Sequence, residues 1–508
     1  MPAATTDTLA FIRRLLDIED AWAALSVMGV TRDRVLEAAR QGRGCTPIIV
    51  RAAEVLTQQG DGPAATSLLL DEVRLTAPPA PLQLALARRL IVQGDPPAAR
   101  AWFHGGMLRA RADAALALEL ACIELAAGQG RCAEALVAVA GKLPCNAPAD
   151  AARSGFTLAS AGRRDLARAA CLIALDRGYR EEGFLRAFAG LLRDEPGELQ
   201  RRVASLAVHA RLAAHHVTPA AIGRAAEREE SARWVPLGRL AGFLRERIAS
   251  RRPFAWIRLS DGEARFLLYM HPELRAPIGD EDAVAIIDAL WSVWFGRDVR
   301  AEDRHRLAWL ADLLDRAIVN ADLLGVTSAA RLRGDRSHGG FCAAMEPHID
   351  ALTRSSGARQ FTAAMDNYQL NAADPFLEQL LGGLDFLGVI SPHPELAGRL
   401  QARLGIGATA SYDIPGEGRL NRAREHADRG THFPAVFERI LRDLVVPHEG
   451  AVFIVAGGLL GKIYCDHVRR LGGIALDIGA VVDAWMGFDT RDGLLDTSPG
   501  SVLPPANG

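Results

Sequence analysis

From about Val235 onward, apolar residues gather in short continuous runs: Ala255 to Leu259, Leu323 to Val326, Phe386 to Ile390, Ala451 to Ala456 and Gly473 to Ile478. Runs of this length predict strands buried on both faces. Between them, apolar residues recur three and four apart, which predicts helices over Ala264 to Met270, Ala283 to Trp294, Ala308 to Asn320, Pro375 to Leu381, Glu395 to Leu404 and Pro434 to Leu444. Strands alternating with helices imply a doubly wound, mostly parallel sheet over residues 235–495. In such sheets ligands gather at the carboxyl ends of the strands. The remainder, 496–508, reads as a disordered tail.

Residues 1–234 follow a different pattern. Apolar positions there keep helical spacing throughout, and a repeat runs through them. Gly60, Gly94, Gly128 and Gly162 stand 34 residues apart, and Ala65, Ala99, Ala133 and Ala167 keep the same step. Each glycine suits the left-handed position that closes a helix. Each alanine falls in the next helix, where a small side chain allows close packing. The period and the Gly-then-Ala placement resemble the tetratricopeptide repeat, although its aromatic positions are mostly Leu or Ala here. The resemblance implies an array of helical hairpins that binds a protein partner or an acceptor. Pro196 to about Arg233 reads as its last helices and cap. The fold class expected is therefore α plus α/β.

Composition narrows the function. The chain has 508 residues, a formal charge of −2, 49% hydrophobic and 24% charged residues, an ordinary globular balance that argues against a nucleic-acid-binding surface. Seven scattered cysteines without a CxxC pair suggest free thiols in a reducing compartment rather than disulfides or zinc. Phe11 to Leu16 followed by Asp17 is no signal peptide, and no apolar run is long enough to span a membrane, so a cytoplasmic protein is expected. Nearly all basic residues are arginine; the only lysines are Lys142 and Lys462.

Two clusters carry chemistry. Trp256-Ile257-Arg258-Leu259-Ser260-Asp261-Gly262-Glu263 runs from a strand into two carboxylates around a glycine, a pattern suited to a hard divalent cation (Mn²⁺ or Mg²⁺) and its phosphate ligands. Arg258, two residues from Ser260, either contacts a phosphate or makes a structural ion pair. The second cluster, Ile454-Val455-Ala456-Gly457-Gly458-Leu459-Leu460-Gly461-Lys462, is a strand, a glycine turn and a helix start, where Gly457, Gly458 and Lys462 would cradle phosphate or ribose. Asp477, 20 residues beyond Gly457, stands where a ribose-binding acid would. Ala456 and Ile463 break the Walker A pattern, and Ala456 also breaks the dinucleotide fingerprint. Asp477 and Asp483 face the same crevice or cap a turn. The general base for an acceptor hydroxyl is sought among His393, Glu417, His432 and Asp483, with His393 first.

Together, Ile257 to Glu263, Asn320 to Val326, Ile390-Ser391-Pro392-His393-Pro394, Ile414-Pro415-Gly416-Glu417, His432 to Glu438 and the block from Ala456 through Asp466, Gly472 to Gly479 and Asp483-Ala484-Trp485 resemble the GT-D-fold glycosyltransferases, a bacterial family with a Rossmann-like domain. The likeness spans about residues 236–495. In that family an Asp-x-Glu motif is tied to metal and nucleotide-sugar binding, and Asp261 and Glu263 match it. The resemblance implies a hexosyltransferase-like enzyme with a divalent cation and a nucleotide-sugar donor, a UDP-sugar first among them. The acceptor would be a protein, a lipid-linked oligosaccharide or a polysaccharide precursor. An NAD(P)-binding oxidoreductase and a non-catalytic repeat scaffold are the alternatives.

Overall fold

A computed structural model describes residues 46–73, 80–107, 113–194, 197–335, 338–354, 359–418, 420, 431–491 and 502–503. The chain forms two compact units, divided between Asp194 and Glu195.

In the first unit, consecutive helices pack in pairs: α1 (Thr46–Gln58) with α2 (Gly62–Val73), α3 (Ala80–Val92) with α4 (Pro96–Met107), α5 (Ala114–Ala126) with α6 (Gly130–Ala140), and α7 (Pro148–Ser160) with α8 (Arg164–Asp176), followed by α9 (Glu182–Leu191). The glycines of the 34-residue repeat all adopt positive φ, between +79° and +82°. After each glycine the next backbone N–H closes on a carbonyl five residues back, as Asp61 does on Leu56 and Arg163 on Leu158. This is the closure that ends a helix on a left-handed residue. Ala65, Ala99, Ala133 and Ala167 are completely buried. The helices that would fall within residues 1–45 lie outside the described residues.

The second unit contains a seven-stranded sheet in which every pairing is parallel, in the order β3-β2-β1-β7-β6-β4-β5. The strands are β1 (Phe254–Arg258), β2 (Leu323–Val326), β3 (Gln360–Ala363), β4 (Phe386–Ser391), β5 (Ala408–Asp413), β6 (Val452–Val455) and β7 (Ile474–Asp477). Alternate residues of β1 enter different cores: Ala255 and Ile257 join one, Phe254 and Trp256 the other. A strand with a core on each face must be apolar throughout, which is why β1, β2, β4, β6 and β7 read as continuous apolar runs. β3 and β5, not expected from the sequence, are the two edge strands. All six residues of β5 are exposed or half-buried, so its sequence carries no apolar run.

The helical segment before the sheet belongs to this unit too. α10 (Glu198–His216) contributes Val208 and Leu212 to the core over β1 and β2. It packs on α17 (Gly339–Thr353) at Gly340, where a Cβ would fall 2.6 Å from the His209 carbonyl. α11 (Pro219–Glu230) is held to α17 by Arg228, 2.6 Å from Glu346 and 2.8 Å from Asp350. Residues 233–235 then run beside β3, exchanging backbone hydrogen bonds with Phe361. The division thus falls about 40 residues before the 234/235 boundary expected from sequence, because these helices bury their apolar faces on the sheet unit. Of the expected tail, only Val502 and Leu503 are described; Leu503 is buried and its N–H donates to the Trp485 carbonyl.

Candidate functional site

β1 and β7 are neighbours, and the chain leaves them toward opposite faces. α13 (Asp261–Met270), directly after β1, sends Phe266 and Leu267 into one core. The short helix α23 (Val481–Trp485), after β7, sends Val481, Val482 and Trp485 into the other. Such a divergence opens the carboxyl end of a parallel sheet to ligands.

The floor of this region is a buried network of four charges. Arg258, the last residue of β1, donates from Nε to the Asp477 carbonyl (2.7 Å) and from Nη1 to the Ala364 carbonyl and the Asn367 side chain, and its Nη2 lies 3.3 Å from the Asp477 carboxylate. Gly479, at φ +56°, leaves room for this guanidinium; a Cβ there would sit 2.3 Å from Nη2. Lys462, on α22 (Gly458–Arg470), places Nζ 2.9 Å from Asp477 and 3.2 Å from Glu263. Glu263 accepts the Ser260 backbone N–H with its other oxygen (2.8 Å), capping α13. All four side chains are buried. Burial alone would push the Asp477 carboxyl up, but Arg258 and Lys462 hold it below the ordinary carboxylate range. Burial likewise works against charge on Lys462, and Asp477 and Glu263 raise it above its ordinary value. The network is therefore charged, two against two, and paired as buried ions must be.

Above this floor lies Asp261, whose side chain keeps 26% of its surface exposed. It accepts from the Ser260 hydroxyl (3.2 Å) and from Arg265 one turn along the same helix (3.2 Å). Arg331, on α16 (Ala329–Gly334), lies 3.7 Å away and donates to the Ser260 hydroxyl, and His338 lies 4.0 Å from the same carboxylate. Burial pushes the Asp261 carboxyl up, but Arg265, His338 and Arg331 together hold it below the ordinary range. Gly262 packs against the Trp294 indole, where a Cβ would fall 2.9 Å from the ring; the Trp294 ring nitrogen also approaches Gly458. Trp294, on α14 (Asp280–Phe295), is half-buried and lies between the two loops. Gly458 is exposed at φ +55° and opens α22, whose first-turn N–H groups have no partner within the helix.

The residues expected from sequence thus divide. Asp261, Gly457 and Gly458 are open at the strand ends. Glu263, Lys462, Asp477 and Arg258 converge beneath them, but each is engaged by the others, and Arg258 is a structural ion pair. Lys462 faces the sheet rather than a phosphate. Asp477, 1% exposed, does not reach the surface as a ribose acid would. The Asp261–Glu263 pair is not a two-carboxylate chelate, since both Glu263 oxygens are taken. Asp261 is the member of the pair with exposed surface, but its oxygens also accept from Ser260 and Arg265. A cation there would have to displace these donors and take its remaining ligands from substrate oxygens, a mode usual for Mg²⁺.

His393 and Asp483 come together elsewhere: His393 Nε2 lies 2.7 Å from Asp483, which also accepts from Thr490 (2.6 Å). His393 is completely buried, so it presents no base to an acceptor. His432 is buried against Tyr464, with its pKa pushed down to about 3 by burial. Glu417 forms a bidentate pair with Arg491, at 2.5 and 3.2 Å. Sequence reasoning missed Arg265, Arg331, His338 and Trp294. Arg265 was readable as an i, i+4 partner of Asp261; the others lie 33 to 77 positions away and carry no local signal.

Compared with known proteins, the chain matches no protein-family model and no curated protein.

Proposed function

We propose that the second unit is a metal-dependent glycosyltransferase of the GT-D, Rossmann-like kind, taking a nucleotide-sugar donor. The observation that carries this reading is the grouping at the carboxyl ends of β1 and β7: an open Asp261, two flanking guanidiniums, an exposed glycine helix start and an indole between them. A nucleotide-sugar presents a diphosphate, a flat base and a sugar. Arg265, Arg331 and the first-turn N–H groups of α22 match the diphosphate charge. Trp294 offers a face for the base or the sugar ring. A divalent cation held by Asp261 would supply Lewis-acid stabilisation of the departing diphosphate. Glu263 fixes the start of α13 and, through Lys462 and Asp477, ties it to the sheet, so that Asp261 is held before the donor arrives. No general base is assigned, because His393 and His432 are both enclosed.

The helix pairs of the first unit fit a tetratricopeptide-like array, and we assign them to recognition of the acceptor or of a partner protein. Between an enzyme and a scaffold, turnover decides. Purified protein should release nucleoside diphosphate from one of a panel of nucleotide-sugars in the presence of Mn²⁺. Asp261→Asn should lower that rate on the order of 10²-fold or more, and Trp294→Ala should raise KM. A chain with no turnover on any donor, whose array still captures its partner, is a scaffold.

A further inference from the structure

A second grouping lies beyond the far end of α13. His271 follows the last residue of that helix, Asp315 lies on α15 (Arg304–Asn320), and His348 lies on α17. One ligand atom from each falls within 4.8 Å of the other two. His348 Nε2 is 2.8 Å from one Asp315 oxygen and His271 Nε2 is 3.7 Å from the other. The two imidazoles lie against each other with centroids 4.5 Å apart. His271 Nε2 is buried and has no hydrogen-bond partner. Its other ring nitrogen, Nδ1, lies 3.4 Å from Glu273. Nε2 itself faces the Asp315 carboxylate with no hydrogen bond between them. The 3.7 Å between them is too long for a hydrogen bond and close to the separation of two donors on one tetrahedral ion. A carboxylate at the outer nitrogen of an imidazole is the usual support for a metal-bound histidine.

We propose that His271 Nε2, the Asp315 carboxylate and His348 Nε2 bind a first-row transition dication, with Zn²⁺ the best match. Two imidazoles and one carboxylate suit such ions and do not suit Mg²⁺ or Ca²⁺, which prefer oxygen throughout. Donors about 2.1 Å from a tetrahedral ion lie roughly 3.4 Å apart, so the observed spacings need only small side-chain shifts. The three side chains keep 13–23% of their surface exposed, enough for the ion to enter and for a water to complete its shell. The ion would join α13, α15 and α17, which cover one face of the sheet, and so hold the helix that begins with Asp261. This proposal is independent of the glycosyltransferase reading.

The test is Co²⁺ titration of chelator-treated full-length protein, read by visible d–d absorption, with Zn²⁺ competition. Wild type should bind one Co²⁺ displaceable by Zn²⁺, without the near-ultraviolet thiolate band that cysteine ligation would give. His271→Gln and His348→Gln should each weaken binding about 100-fold or more, while Asp261→Asn leaves it unchanged. Glu273→Gln, at an exposed position that does not threaten folding, should weaken it about 10-fold. Absence of saturable Co²⁺ binding in wild type, or binding that Glu273→Gln and both histidine variants leave intact, overturns the proposal.

Discussion

Replacing Lys462 by methionine would remove one of four buried charges while keeping most of the side-chain volume. Arg258 would still neutralise Asp477, but Glu263 would retain its charge with only the Ser260 N–H as partner. The buried network would pass from balanced to one net negative charge. Breaking a buried pair by removing one partner costs about 3–5 kcal/mol, because the remaining charge stays out of water. Lys462 and Glu263 are each only 6% exposed, so solvent screens little of this. Adding Glu263→Gln restores the balance and still lets a side-chain oxygen cap Ser260. The double variant should therefore recover about 1–3 kcal/mol relative to the sum of the single effects. Urea unfolding followed by tryptophan fluorescence is the assay, since Trp234, Trp256, Trp291, Trp294, Trp309 and Trp485 all lie in the sheet unit. A midpoint shift at unchanged slope reads as stability. A Lys462→Met protein within about 1 kcal/mol of wild type, or strictly additive single effects, would refute the claim that these charges form one coupled network.

Two further outcomes follow. Gly94→Ala should destabilise the helical unit by about 1–2 kcal/mol; a Cβ there meets nothing within 4 Å, so the cost comes from φ +80° alone, and circular-dichroism melting of residues 46–194 or the whole chain checks it. The pKa of His432 is pushed down to about 3 by burial, and that of His209 to about 4 by burial with His338 adding, both from 6.5. A base whose folded pKa is depressed contributes stability that is complete above its unfolded pKa and is lost as pH falls toward the folded value. Stability should therefore decline from pH 6.5 down to about 4, by up to about 1.4 kcal/mol per pH unit for each histidine. Urea midpoints across that range should fall about half as steeply in His432→Gln, the remaining slope being that of His209.

How much the sequence could reveal depended on whether a feature was local. The interior strands were legible because burial on two faces forces an unbroken apolar run, as in Val452–Val455. The edge strand Ala408–Asp413 was not, since half-exposed positions accept Thr, Ser and Tyr as readily as Val. Gly60, Gly94, Gly128 and Gly162 were legible because a left-handed helix end selects glycine at a fixed step. The roles of Glu263, Lys462 and Asp477 were not. Their shared network joins three elements separated by up to 214 positions, and nothing in each segment distinguishes a charge facing a ligand from one facing another buried charge. Lys462 stood out as one of two lysines, and it does occupy the centre of the region, though as a brace beneath the site.

The central claim is that Asp261 and its neighbours receive the diphosphate of a nucleotide-sugar with a divalent cation. Isothermal titration of UDP, GDP, CDP and NAD into the full chain, with and without Mn²⁺, measures this most directly. The account predicts saturable binding of one nucleoside diphosphate that requires Mn²⁺ and is lost in Asp261→Asn. Binding of NAD alone, indifferent to Asp261 and to Mn²⁺, or no binding of any nucleotide by a folded protein, would contradict it.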